Sequence, residues 1–294
     1  MNEPIYFPPS ELIINPDGSV FHLHLKPSFL ASKVILVGDP ARVDLIASYF
    51  QTVEHRVASR EFNTVTGSYN GKRLTVISTG IGCDNIDIVL NEIDALANID
   101  FDTRRLKSKL TSLEIVRIGT CGGLQPYTPI GTFICSVKSI GFDGLLNFYA
   151  GRIQVCDTAF EKAFMQAMQW ESGQCAAHPY VIDADPVLIE RIAAKDMVRG
   201  VTVAANGFFG PQGRCLRIPL ADPLQNQKIA SFCYNGLKIT NFEMESSAVA
   251  GLARLMGHKA VTVCMVIANR VAKEADTNYK NSIEGLIQLV LDRI

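Results

Sequence analysis

Apolar positions along the chain fall into two alternating patterns. Short unbroken runs, KVILVG (33–38), LTVISTG (74–80), EIVRIGT (114–120), GTFICSV (131–137) and AVTVCMVIA (260–268), have the length and β-branched content of strands covered on both faces. Amphipathic segments lie between several of them. That alternation predicts an α/β fold, a largely parallel sheet with helices packed around it. After the first run, Asp39 is placed to cap a helix with Pro40 at its first position, and Val43, Ile46, Ala47 and Phe50 follow at helical spacing. In the final segment Ile283, Leu286, Ile287 and Val290 share one face, which predicts a closing helix with a packing role. The chain has no internal repeat, low-complexity linker or charge block, so a single domain is expected.

Composition narrows the functional classes. With 294 residues, 48% hydrophobic and 19% charged, the chain has ample material for a core. A formal net charge of -1 provides no basic stripe for nucleic acid, and small-molecule substrates are the expected partners. The eight cysteines are scattered without C-x-x-C pairs, which speaks against a zinc cluster or disulfide framework and for reduced thiols in a cytoplasm. The start, MNEPIYFPPSELIINP, lacks an apolar signal core, and no stretch approaches a membrane span, so neither export nor anchoring is expected.

Candidate chemistry begins at NFEMESSAVAGLARLMG (241–257), where Glu243 and Glu245 flank Met244 at the start of an apolar helix. Acidic residues suit a helix start, but two buried carboxylates cost several kcal/mol without partners, and a ligand is expected there. Arg42 lies in the first turn of the helix capped by Asp39, where a cation is unfavourable unless an anion shares the site. Arg117 interrupts an apolar strand and needs an anionic partner; the GTCGG that follows reads as a glycine-rich turn, with Thr120 able to offer a hydroxyl and an amide to an oxyanion. Cys121 has no base near it in sequence and reads as a packed side chain. His22 and His24, in FHLHL, would share a strand face, but nothing completes a metal set. In NGFFGPQGRCLRI (206–218), Gln212 and Arg214 could read the edge of a flat heterocycle while Phe208 stacks on its face.

Taken in order, GDPARV, REFNT, STGIG, RIGTCGG, FFGPQGR, NFEMESS and VIANR resemble the motifs of the nucleoside phosphorylases, and within them the uridine phosphorylases. The resemblance runs from about VFHLHL to the final helix, leaving 1–20 as an N-terminal extension and 21–294 as the phosphorylase domain. It implies a single-domain fold whose central mixed, largely parallel, twisted sheet forms a distorted barrel surrounded by helices. It also implies a phosphate site of Gly38, Arg42, Arg117 and Thr120, with Arg60 entering from a neighbouring subunit. His22 would cross the same interface to the ribose 5'-hydroxyl, so a homo-oligomer with shared sites, dimer or hexamer, is implied. Glu245 would accept from the 2'- and 3'-hydroxyls, Met244 would pack on the sugar, and Glu243 would support them.

The same resemblance assigns the base. Gln212 would face N3-H and O2 of uracil, Arg214 would face O4, and Arg270 would add charge near O4. The purine-cleaving branch carries an aspartate at the position of Asn269, and its replacement here counts against purines. The implied reaction is phosphorolysis of uridine, with deoxyuridine and thymidine as further candidates, and inorganic phosphate as co-substrate without an organic cofactor. Two departures accompany this. The segment 157–170 reads as a helix beyond the shorter bacterial form, and Asn85 replaces a serine in the set, with Glu61 and Ile81, that holds potassium in some relatives. Competing expectations are a nucleosidase or purine nucleoside phosphorylase of the same fold, and a non-catalytic nucleoside-binding protein.

Overall fold

The computed structural model describes residues 5–170, 178–279 and 282–294. β1 (Lys33–Val37) leads into α1 (Pro40–Ala47), followed by the antiparallel β2 (Thr52–Ser59), β3 (Phe62–Tyr69) and β4 (Lys72–Ser78). Helix α2 (Cys83–Asn98) and a small hairpin of β5 (Ile99–Asp100) and β6 (Arg105–Leu106) precede β7 (Glu114–Gly123) and β8 (Phe133–Gly141). Then come α3 (Arg152–Val155), α4 (Thr158–Met168), β9 (Tyr180–Asp183), α5 (Pro186–Ala193) and β10 (Val198–Ala204). The last third holds α6 (Gln225–Ser231), β11 (Cys233–Tyr234), β12 (Leu237–Glu243), α7 (Ser246–Leu255), β13 (Lys259–Asn269), β14 (Glu274–Ala275) and α8 (Ile283–Arg293).

Among the described residues, one mixed sheet of 12 strands runs in the order β11-β12-β10-β8-β13-β7-β1-β4-β3-β2, with β9 on β8 and β14 on β13. β12 also pairs with β7, Phe242 opposite Gly122 and Asn241 opposite Gly123, which closes β7, β13, β8, β10 and β12 into a barrel. The expected α/β class and distorted barrel are therefore present.

β1 shows why its residues after Lys33 are all apolar. Ile35 and Val37 pack with Val43 and Ile46 of α1 and Leu286, Ile287 and Val290 of α8. Val34 and Leu36 face the other way, onto Ile86, Val89 and Leu90 of α2 and Val249 and Leu252 of α7. Both faces are covered, and each such side chain contributes roughly 1.5–3 kcal/mol by leaving water. α1 starts as its signals predict, the Asp39 side chain accepting from the Ala41 amide at 2.9 Å ahead of Pro40. α4 is capped by Asp157, which accepts from the Phe160 amide at 3.0 Å, and stops at Met168, two residues before the predicted end. The N-terminal extension packs on the far end of α2, where Leu12 meets Ala95 and Ile99.

Two expectations need correction. GTCGG is not a turn; β7 continues through it to Gly123, and its glycines serve as close-packing positions in the strand. A Cβ on Gly119 would lie 2.4 Å from Arg117 Nη1, and one on Gly123 would lie 2.6 Å from the Thr128 carbonyl oxygen. FHLHL is not a strand either. Residues 21–23 form a turn in which the His24 amide donates to the Val20 carbonyl at 3.1 Å and His24 adopts φ 49°, so the two histidines share no strand face.

Candidate active site

A cleft of about 1030 Å³ opens at the carboxyl ends of β1, β4, β12 and β13 and along the second half of β7. This is where an open α/β sheet places its ligands, because loops leaving the strands diverge there and helix N-termini point inward. Gly38, Arg42, Arg117, Thr120, Phe208, Gln212, Arg214, Glu243, Met244, Glu245 and Arg270 all line it. Side chains from positions 38 to 270 thus converge on one space.

At its floor the two carboxylates are partnered within the protein. Arg117, buried in β7, forms an ion pair with Glu245 and another with Glu243 at 3.1 Å. Burial works against the guanidinium's charge, but Glu245 and then Glu243 outweigh it and hold the group above its ordinary range. Glu243 also accepts from the amides of Glu245 and Ser246 and from the Ser246 hydroxyl at 2.6 Å, so it caps α7. Burial raises the Glu243 carboxyl against the pull of Arg117. The expectation that these acids lie unpaired until a ligand arrives is therefore corrected: Arg117 and the backbone amides at the head of α7 partner them. Glu245 receives one further bond, from the Gly82 amide just ahead of α2, at 2.8 Å. Each Glu245 oxygen then has one donor and one open acceptor position, an arrangement matched to two adjacent hydroxyl groups.

Arg42 reaches across from α1 and donates to the Ile118 carbonyl at 3.2 Å. Burial, then the neighbouring Arg117, pulls its guanidinium below the usual range. Two buried guanidinium groups side by side favour an anion between them.

The other end of the cleft belongs to the loop 206–214. Gln212 is buried, and its Oε1 accepts from Arg214 Nη1 at 2.6 Å, while Arg270 donates to the Gln212 carbonyl at 2.8 Å. Arg214 lies over the Phe208 ring at 3.6 Å and donates to the Phe208 carbonyl at 2.6 Å. Phe208 is thus a platform for Arg214 on one face, because the guanidinium plane stacks there, and the ring itself lines the cleft. Burial and then Arg270 bring the Arg214 pKa down to about 10. Asn269 is spent on the fold: its amide nitrogen donates to the Thr128 carbonyl at 2.7 Å, and its oxygen accepts from the amides of Val271 and Ala272.

His22 and Arg60 do not line this cleft. They lie near each other instead, His22 edge-on to Phe21 with ring centres 4.9 Å apart and Arg60 over the Phe21 ring at 5.9 Å. Cys121 is buried, and burial pushes its thiol well above the ordinary range, as suits a packed side chain. The Gly82 amide is a functional group that no side chain marks in the sequence, although a glycine ahead of a helix after a strand is a recognisable donor to anions. Lys273, Asp276 and Tyr279 also line the cleft, and no sequence motif marks them.

Comparison with known proteins gives the family. A sequence model of the phosphorylase superfamily matches residues 32–293. The uridine phosphorylase of Thermococcus kodakarensis is 31% identical over 268 residues, covering 88% of this chain and 80% of that one. Among solved structures, a Trypanosoma brucei nucleoside phosphorylase described as showing uridine phosphorylase activity superposes with a TM-score of 0.84 at 29% identity, over 96% of this chain and 98% of that one. The Toxoplasma gondii purine nucleoside phosphorylase in complex with immucillin-H shares the fold, with a TM-score of 0.64 at 21% identity over 93% and 94% of the two chains. The chain belongs to the phosphorylase superfamily, and within it is a pentosyltransferase.

Proposed function

We propose that the enzyme cleaves uridine by phosphorolysis to uracil and ribose 1-phosphate, with deoxyuridine and thymidine as further substrates, in pyrimidine salvage. One observation carries this reading: a single cleft joins the buried Arg42 and Arg117, the half-open acceptor Glu245, and the Gln212 and Arg214 pair. Phosphate fits between the guanidinium groups, with Gly38 and Thr120 beside it. The ribose diol fits Glu245, and the polar edge of uracil fits Gln212, Arg214 and Arg270. Phosphate oxygen attacks C1', the C1'–N1 bond breaks, and its electron pair passes to uracil. The Arg214 and Arg270 charges favour the departing anion over the neutral base, which is differential stabilisation of the transition state. Inorganic phosphate is the co-substrate, and no organic cofactor enters.

The uracil preference is supported by Asn269. A carboxamide, held by four contacts to the surrounding backbone, stands where a carboxylic acid would be needed to protonate a purine N7. His22 and Arg60, clustered around Phe21 away from their own cleft, support a homo-oligomer in which both complete a neighbour's site. The free cysteines among the described residues, and the absence there of any helix long and apolar enough to cross a membrane, fit work in a reducing cytoplasm. A panel of uridine, thymidine, cytidine and inosine in phosphate buffer tests the substrate. Uridine should lead and cytidine, with an amino group at C4, should trail; faster release of hypoxanthine than of uracil would refute the base assignment.

A further inference from the structure

Glu92, on α2, spends its whole carboxylate on the turn that carries His22. Its Oε1 accepts from the His22 amide at 2.9 Å and lies 2.7 Å from His22 Nδ1, and its Oε2 accepts from the Leu23 amide at 2.8 Å. The turn itself is held by Val20 donating to Leu25 and His24 donating to Val20. Two backbone amides and one ring nitrogen therefore share a single acidic side chain 70 residues away in sequence.

We infer that Glu92 is a positioning residue for His22, fixing both the tautomer and the aim of its imidazole; this rests on the reading of His22 as the group that meets the ribose 5'-hydroxyl. An ionised carboxylate only accepts, so Nδ1 carries the ring proton. In the neutral ring Nε2 is then an acceptor, directed away from α2. A hydroxyl can donate to it. Without the carboxylate the ring could turn or take the other tautomer, and Nε2–H would oppose the hydroxyl hydrogen. Holding the turn alone would need only the two amide bonds; the third bond, into the ring, is the one that selects a tautomer. α2 therefore serves two places at once, since the Gly82 amide ahead of its first turn holds Glu245 while Glu92, further along, holds His22.

Glu92→Gln preserves size but turns one acceptor into a donor. Two measurements on the full-length protein decide the matter. Nitrogen-15 NMR of the imidazoles, with His22→Asn to assign the signal, should show His22 protonated at Nδ1 in the wild type and shifted toward the Nε2–H form in Glu92→Gln. In phosphate buffer, Glu92→Gln should lower kcat/KM for uridine by about tenfold, the value of one charged hydrogen bond, while 5'-deoxyuridine changes by less than about twofold. Equal losses on the two nucleosides, or a wild-type ring protonated at Nε2, would overturn the inference. The spectrum needs no turnover, so a wild type inert toward every nucleoside would end the functional reading while the tautomer still decides the role of Glu92.

Discussion

Arg117 in the middle of β7 is ion-paired with Glu245 at the head of α7, across 128 residues of sequence and within one buried cluster. Because Glu243 flanks the same guanidinium, the cluster holds two negative charges and one positive. A diol donating to Glu245, with an anion drawn toward Arg42 and Arg117, would complete it.

Replacing Glu245 should therefore separate sugars. Glu245→Ala is expected to cut kcat/KM for uridine by about a hundredfold, two charge-assisted hydrogen bonds, and for 2'-deoxyuridine by about tenfold. Steady-state kinetics on both nucleosides checks this, and equal losses would remove the diol from Glu245. Unfolding should also become easier by roughly 3 kcal/mol, because Arg117 keeps only Glu243.

Gly119 leaves room for the Arg117 side chain. Gly119→Ala places a methyl 2.4 Å from Nη1, and the guanidinium must move. A loss of about 1–3 kcal/mol in stability is expected from the forced shift, with a rise in the phosphate KM. Denaturant unfolding and phosphate titration read the two effects separately. An unchanged phosphate KM would mean that Arg117 does not face the anion.

Arg214→Ala removes the stack on Phe208 and the donor to Gln212. Turnover of uridine should fall tenfold or more, one lost charged hydrogen bond or greater. Arg214→Lys should recover little, since an ammonium group cannot reproduce the flat stack and fork. Full rescue by lysine would show that charge alone matters there.

Much of this was legible in the chain because the relevant features are local. Strands β1, β4, β7, β8 and β13 announce themselves as apolar runs, α1 through Asp39 and Pro40, and α8 through its apolar face. The cleft residues were recognisable from short motifs lying in family order. What the sequence could not display were relations between distant segments. GTCGG looked like a turn because glycine usually breaks strands; here β12 and the folded-back Arg117 need the space. FHLHL looked like a strand by alternation, yet Glu92, far along the chain, draws it into a turn. Glu243 and Glu245 looked unpaired because Arg117 lies more than a hundred residues away.

Acid stability provides a prediction away from the cleft. Glu114, at the start of β7, is held by Arg191 at 2.7 Å and Lys33 at 2.8 Å. Partial burial raises its carboxyl, but Arg191 and Lys33 outweigh this and lower its pKa to about 2. A carboxyl lowered in the folded state stabilises the fold above its unfolded pKa, and that contribution is lost as pH falls toward about 2. The wild type should thus lose more thermal stability than Glu114→Gln between pH 6 and pH 3, roughly the span in which an unpaired glutamate protonates. Parallel curves for the two proteins would contradict the pairing.

In the proposed reaction phosphate, not water, takes the sugar. Purified protein incubated with uridine, with and without inorganic phosphate, can be followed by uracil release and by phosphorus-31 NMR. Uracil and ribose 1-phosphate are expected in equal amounts with phosphate, and almost no uracil without it. Uracil released at the same rate in both, accompanied by free ribose, would contradict it.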